Sequence, residues 1–379
     1  MAPGSVREPR WDNVRFFSGT LVVIGHTIEP LGHIDGLRWL YLTSWALRVP
    51  VFVLLAGYFS SAGPLTAREL RRLSESVLLP YLAIGLLHTA QLRLMYGKWS
   101  VFVTEPAWGL WFLFALFVWR MLLPYVVVLR FPLLIAGLAA VAVGMMSSFG
   151  NAYSTSRIVC FLPFFLLGWK LRQGLEETLL EARWSRWAAL GVLAATAAVA
   201  WAFRHDVNLS WLAMRTPYAE MHTPGPPWAP LVVRAVVIAG GAVVALAFVR
   251  LMPRRRLPVL SYLGAGGLYI YLLHPLMLRP LTAYGGFLGK VGPWHEQLAL
   301  LAVVTVLSAA LASPPVRKLA RPLVQPRLPW LYADARRHGR HGAPPPGLPR
   351  VPSPSPSPSP SNEETLELAL VSPGPAKDT

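Results

Sequence analysis

The chain has 379 residues, of which 54% are hydrophobic and only 14% are charged. A soluble protein carries about a quarter charged residues, so this composition excludes an ordinary soluble domain and predicts a polytopic membrane protein. The formal net charge is +17, but the arginines lie between apolar segments, where membrane topology explains them better than nucleic-acid binding does.

Hydropathy predicts an all-α protein with about ten transmembrane helices. The candidate spans are residues 14–32, 38–60, 76–96, 108–128, 131–149, 156–174, 186–203, 229–250, 258–278 and 296–313. Lysine and arginine are concentrated in one alternate set of the connecting loops, which the positive-inside rule assigns to the cytoplasm. Both termini are therefore predicted to be cytoplasmic, and an even number of spans agrees with this orientation.

Composition divides the chain into four parts. A cytoplasmic segment, 1–13, precedes the transmembrane domain, 14–315. A basic cytoplasmic segment, 316–341, follows it. The tail, 342–379, is rich in proline and serine and has too few apolar residues to form a core, so we expect it to remain disordered.

The first predicted span carries three ionisable residues, Arg15, His26 and Glu29. Successive helical residues are rotated by about 100°, so the three side chains fall on nearly the same face, with Arg15 and His26 about 16 Å apart along the axis. Ionisable groups within a bilayer usually face the protein interior or a water-filled cavity. His26 is the candidate proton acceptor, with Glu29 as its orienting partner. A histidine bonded to a neighbouring helix, and an arginine that only anchors the span, are the structural alternatives.

Arg48 is a second charge inside a predicted span, two residues before Pro50, which removes a helix hydrogen bond. Its guanidinium is expected either to pair with Glu29 or to hold an anionic or polar group of a substrate.

A cluster of three arginines, Arg68, Arg71 and Arg72, precedes the third span on the predicted cytoplasmic side. They are candidates for binding the phosphates of a cytosolic donor, or they only signal topology and contact anionic lipid.

Other polar residues inside predicted spans are less decisive. His88 and Gln91 are expected to form hydrogen bonds between helices. Tyr271 and His274 lie three residues apart on one helix face, where they line a cavity or a helix interface. The histidines lack metal-ligand spacing, and the single cysteine, Cys160, excludes a cysteine metal cluster.

Five short segments in this order resemble the membrane-bound acyltransferase 3 family, and most closely its fucose 4-O-acetylase-like branch. They are Trp11-Asp-Asn-Val-Arg15 with His26 after ten intervening residues, Val49-Pro-Val-Phe-Val-Leu-Leu-Ala-Gly-Tyr58, Leu110-Trp-Phe-Leu113, Phe164-Phe-Leu-Leu-Gly168 and Tyr271-Leu-Leu-His274. Two positions depart from the family pattern: Ala56 replaces a serine, and Arg48 replaces a histidine common in that branch.

The resemblance implies transfer of an acyl group other than an aminoacyl group, commonly acetyl, from acyl-CoA to a sugar hydroxyl. It implies a multi-pass protein of the cell membrane, with a carbohydrate or glycolipid acceptor and no metal or permanently bound cofactor. The residues that it suggests are catalytic His26, Arg15 and Glu29, donor-binding Arg68, Arg71 and Arg72, and substrate-binding Arg48, Trp111, Tyr271 and His274.

Two alternatives remain open from the sequence. In the first alternative the protein catalyses the same acyl transfer, but the acceptor is a small secondary metabolite rather than a glycan. In the second alternative the protein is a carrier or flippase that uses the buried charges as a permeation path. The absence of an internal sequence repeat argues against the carrier.

Overall fold

The computed structural model of the chain describes residues 8–97, 99, 108–147, 154–221, 223–286, 288–326 and 328–332. The described residues up to Leu328 belong to one compact unit, and Pro329–Leu331 form a 3₁₀ turn in a second unit. The predicted tail, 342–379, lies outside the described residues.

The helices are α1 (Pro9–Ile28), α2 (Asp35–Thr43), α3 (Trp45–Tyr58), α4 (Ala67–Leu73), α5 (Leu79–Tyr96), α6 (Trp111–Val126), α7 (Pro132–Ala142), α8 (Thr155–Lys170), α9 (Glu176–Leu180), α10 (Ser185–Ala202), α11 (Ser210–Ala213), α12 (Ala229–Leu251), α13 (Pro258–Gly264), α14 (Gly267–Tyr284), α15 (Trp294–Ala312) and α16 (Pro314–Val324).

The described residues contain helices and no strands, as the hydropathy pattern predicts. Six helices or joined helices are long and apolar enough to cross a membrane, and the pair α13 and α14, bent by 75°, makes a seventh if it is one span. Helix α6 and the segment Pro132–Met145 are apolar but shorter. Each predicted span coincides with helical structure, whereas the number ten and the cytoplasmic termini stay predictions.

Helix α1 is too polar to qualify as a span by its own composition, because its first two turns carry Arg10, Asp12, Asn13 and Arg15. Fifteen of its 20 residues are nevertheless buried. It packs against α3, α13, α14 and α15. Protein rather than lipid therefore surrounds α1, and this surrounding shell makes its polar groups tolerable within the bundle.

Asn13, which is fully buried in α1, ties the helix to the connection between α12 and α13. Its amide nitrogen donates to the carbonyl oxygens of Pro253 at 2.9 Å and Arg255 at 3.2 Å. Its amide oxygen accepts from the Ser261 hydroxyl at 2.6 Å. These bonds fix the angle at which α1 enters the bundle.

We predict that Asn13→Ala lowers the free energy of unfolding by about 1–3 kcal/mol, because it removes three hydrogen bonds made by a fully buried side chain. Thermal unfolding of the purified protein in detergent measures the change. Asn208→Ala is the matched control, since Asn208 is exposed and its side chain accepts a bond from the Ser210 amide. An equal unfolding midpoint for the two variants would contradict the prediction.

Helices α3 and α8 form a particularly close pair in which two glycines face backbone. A Cβ atom added to Gly57 would collide with the carbonyl of Phe165, and one added to Gly168 would collide with the carbonyl of Leu54. Small residues that let backbones approach in this way are typical of helix interfaces in membranes.

Candidate active site

A cavity of about 490 Å³ lies at the C-terminal end of α1. Its volume is in the range of small-molecule sites, which is roughly 300–1,000 Å³. The residues that line it are Val22, His26, Glu29, Pro30, Tyr41, Trp45, Arg48, Val49, Trp111, Arg157, Phe161, Leu212, Ala213, Arg215 and Thr282. This set comes from segments distant in the sequence, and it contains both basic and acidic groups.

A smaller cavity of about 30 Å³ shares His26 and Trp111 with the first one. Tyr271 and His274, three residues apart on α14, line only this smaller space. The Tyr271 hydroxyl donates to the carbonyl of Gly109, and this bond holds the turn before α6. The structure therefore brings together His26, Trp111, Tyr271 and His274, which the sequence singled out separately.

Glu29 and His274 both lie next to the His26 ring. Its Nδ1 lies 3.7 Å from a carboxylate oxygen of Glu29, which is too long for a hydrogen bond but close enough to stabilise a positive charge on the imidazole. The His274 ring stacks on the His26 ring with centroids 5.4 Å apart and an interplanar angle of 17°.

His274 is fully buried, and its Nδ1 lies 2.9 Å from the carbonyl oxygen of Ile270. A carbonyl only accepts, so Nδ1 carries the hydrogen. In the neutral ring Nε2 is then a hydrogen-bond acceptor. That atom is buried and has no partner among the described residues. It is available to a group that enters the smaller cavity.

Arg48 makes no ion pair with Glu29 among the described residues, and its role in binding a substrate stays a prediction. Its side chain is 6% exposed, and a terminal nitrogen donates to the Tyr41 carbonyl at 2.8 Å. The guanidinium carbon lies 4.1 Å from the centroid of the Tyr41 ring. On its other side the guanidinium packs directly against Gly25, where an added Cβ would overlap it.

The segment Leu212–Tyr218 covers one side of the larger cavity and is held by side chains that bond its backbone. The donors are Trp45 to Leu212 at 2.9 Å, Arg157 to Ala213 at 3.2 Å, Ser156 to Met214 at 2.9 Å and Arg234 to Thr216 at 3.0 Å. Met214 has a positive φ of 54°, which is uncommon for a residue with a side chain. This turn leaves the neighbouring Arg215 exposed at the cavity.

Arg234 and Arg157 were not singled out as site residues from the sequence. Arg234 is fully buried and contacts Cys160 and the Tyr218 ring as well as Thr216. Both arginines lie inside predicted spans. That position could have identified them as candidate site residues, because a charged side chain within a membrane is costly unless it has a structural or functional role.

The catalytic candidate Arg15 and the three candidate donor-binding arginines do not line either of the two cavities. Arg15 pairs with Asp12 at 2.9 Å, packs on the Phe59 ring and lines neither cavity. The exposed arginines Arg68, Arg71 and Arg72 are on the short helix α4, and Arg71 pairs with Glu75 at 3.0 Å.

His88 and Gln91 form the interhelical bonds predicted for them. Gln91 donates to the carbonyl of Leu276 at 2.7 Å, and Arg279 of α14 lies 3.3 Å from Nδ1 of His88. These contacts join α5 to α14 and thereby support the helix that carries His274.

The model of the acyltransferase 3 family, described as an acyltransferase domain, matches residues 8–313. The chain belongs to the acyltransferase 3 family. No curated protein and no solved structure gives a significant match. Membership in this family, together with the apolar helices, identifies the chain as a multi-pass membrane acyltransferase. The matched region includes every residue that lines the two cavities.

Proposed function

We propose that this acyltransferase moves an acyl group, in the first instance acetyl, from acyl-CoA to a hydroxyl of a sugar or glycan at the cell membrane. The activity is that of the fucose 4-O-acetylase-like branch that the sequence resembles. The family match supports acyl transfer. The observation that carries the finer proposal is the position of His26, whose imidazole lines both cavities beside Glu29.

The reaction begins when an imidazole nitrogen of His26 accepts the proton of the acceptor hydroxyl. A sugar hydroxyl is too weakly acidic to attack a thioester quickly without such a base. The oxygen then bonds to the thioester carbonyl carbon, and collapse of the tetrahedral intermediate breaks the C–S bond. The imidazolium returns its proton to the departing thiolate, so free CoA and the ester are the only products.

Three neighbouring groups support this cycle. The Glu29 carboxylate stabilises the imidazolium electrostatically across 3.7 Å. The unpartnered Nε2 of His274 accepts a hydrogen bond from a second substrate hydroxyl in the smaller cavity. Trp111 lines both spaces and supplies an apolar face on which a sugar ring packs.

The donor approaches from the end of α1 that carries Arg15, which the arginine bias predicts to be cytoplasmic. Arg15 contacts the donor on its path toward His26, about 16 Å further along the helix, and the exposed guanidinium groups of Arg68, Arg71 and Arg72 bind its phosphates. Arginine forks suit such bidentate contacts.

Incubation of the purified protein with acetyl-CoA labelled in the acetyl group and a panel of sugar acceptors tests the proposal. We expect labelled ester and free CoA in equal amounts. A carrier would leave the label on CoA. If ester appears only when a small metabolite extract replaces the sugars, the chemistry stands and the proposed acceptor class is wrong.

A further inference from the structure

The larger cavity is lined by more positive than negative charge. Three arginines, Arg48, Arg157 and Arg215, face one carboxylate, Glu29. With His26 neutral, the lining side chains within the described residues carry a formal excess of two positive charges. A concave, partly desolvated site with such an excess attracts and retains anions.

Arg48 is the most deeply buried of the three. It is almost fully buried and forms no ion pair among the described residues, where its guanidinium contacts the carbonyl and the ring of Tyr41. Its Nε is buried without a partner. A buried guanidinium without a counter-ion is costly, so an anion that enters the cavity would relieve this cost.

Arg157 and Arg215 complete a basic wall around the same space. Arg157 uses Nε to bond Ala213, and its guanidinium carbon lies 5.2 Å from the centroid of the Trp111 ring. Its two terminal nitrogens have no hydrogen-bond partner among the described residues. Arg215 is exposed at the opening, where it forms no ion pair within the described part of the chain. Planar arginine forks bind carboxylate and phosphate in two-point contacts.

We propose, building on the proposed function, that the acceptor is a hydroxylated molecule bearing an anionic group, a carboxylate or a phosphate, which Arg48, Arg157 and Arg215 bind while the hydroxyl lies beside His26. A uronic acid residue of a glycan and a phosphate-linked sugar both have this chemistry. The anionic group anchors the acceptor and is unchanged by the reaction, in which the hydroxyl proton passes through His26 to the CoA thiolate.

The phosphates of acyl-CoA are the competing anion. The location of the cavity argues against them, because it lies at the end of α1 opposite to Arg15. The arginine bias predicts that the end with Arg15 is cytoplasmic, where acyl-CoA is present. The test therefore measures acceptor and donor separately.

Matched acceptor pairs provide the first measurement. Methyl glucuronide is compared with its uncharged amide, and glucose 1-phosphate with methyl glucoside, at fixed acetyl-CoA concentration. We expect kcat/KM to be at least about tenfold higher for the charged member of one or both pairs, since charge-assisted hydrogen bonds are the stronger ones. The first pair reports on carboxylate and the second on phosphate. Equal kcat/KM values within both pairs would overturn the proposal.

Variants of the two less buried arginines provide the second measurement. Arg157→Gln and Arg215→Gln should each reduce the preference for the charged acceptor severalfold and leave KM for acetyl-CoA unchanged, whereas Arg157→Lys should retain part of the preference. Arg130→Gln, which alters an exposed arginine outside the cavity, is the control. A raised KM for acetyl-CoA without an effect on the acceptor would assign the cavity to the donor and overturn the proposal.

A binding measurement without donor separates this proposal from the proposed function. Methyl glucuronide and glucose 1-phosphate should raise the unfolding temperature of the unmodified protein, and less so that of Arg157→Gln. Such binding without any ester formation would contradict the proposed function but support the anion site. Efficient acetylation of neutral sugars alone would support the function and refute the anion site.

Discussion

His26→Ala should reduce the rate of acetyl transfer by at least about a hundredfold, because general-base catalysis typically contributes 10²–10⁴-fold. The substitution removes the imidazole that lines both cavities and leaves the Glu29 carboxylate without its partner. His26→Gln should be equally slow, since an amide forms hydrogen bonds but does not accept a proton at neutral pH. Release of free CoA in the presence of a saturating acceptor measures the rate.

His295→Ala is the control for this prediction, because His295 is an exposed histidine at the start of α15 and lines neither cavity. It should retain the full rate. All variants must elute as the same detergent-solubilised species as the unmodified protein, so that lost activity is separated from lost folding. Full transfer by His26→Ala would remove the imidazole from the mechanism.

Gly57→Ala should have the largest effect on stability, a loss of at least about 2 kcal/mol in the free energy of unfolding. The new methyl group would meet the backbone carbonyl of Phe165 in α8, and backbone in a helix cannot rotate away as a side chain can. Helices α3 and α8 must then separate at this contact. Thermal unfolding in detergent and the yield of folded protein measure the loss.

Gly240→Ala serves as the comparison, since Gly240 is also helical but faces open space. Alanine has the higher helix propensity, so this variant should be as stable as the unmodified protein or slightly more so. If both glycine variants unfolded at the same temperature, the close contact between α3 and α8 would not matter for stability.

The helical architecture was predictable from the sequence because apolar segments of membrane length have few other stable structures. The family could also be inferred, since five short segments in a fixed order are specific together. Helix α1 was predicted as a span, but its polar start is tolerated only because four other helices enclose it. Hydropathy along one segment does not contain that information.

The site was predictable where it depends on helical periodicity. The alignment of His26 with Glu29 and of Tyr271 with His274 follows from a helix repeat of 3.6 residues. The stacking of His26 on His274 does not, because it depends on how α1 and α14 pack across almost 250 residues of sequence. For the same reason the choice of partner for Arg48 could not be made in advance: the nearest acceptor is a backbone carbonyl, which every residue offers.

The way in which segment 212–218 is attached to the surrounding helices determines which of its substitutions the enzyme tolerates during evolution. The attachment points are main-chain carbonyl oxygens, which are identical whichever amino acid supplies them, while the donors sit on the surrounding helices. The side chain at position 215 can therefore be exchanged without loosening the cover of the cavity. Substitution at that one position can change the acceptor preference, whereas substitution of the donors Trp45, Ser156, Arg157 or Arg234 removes an attachment of the segment.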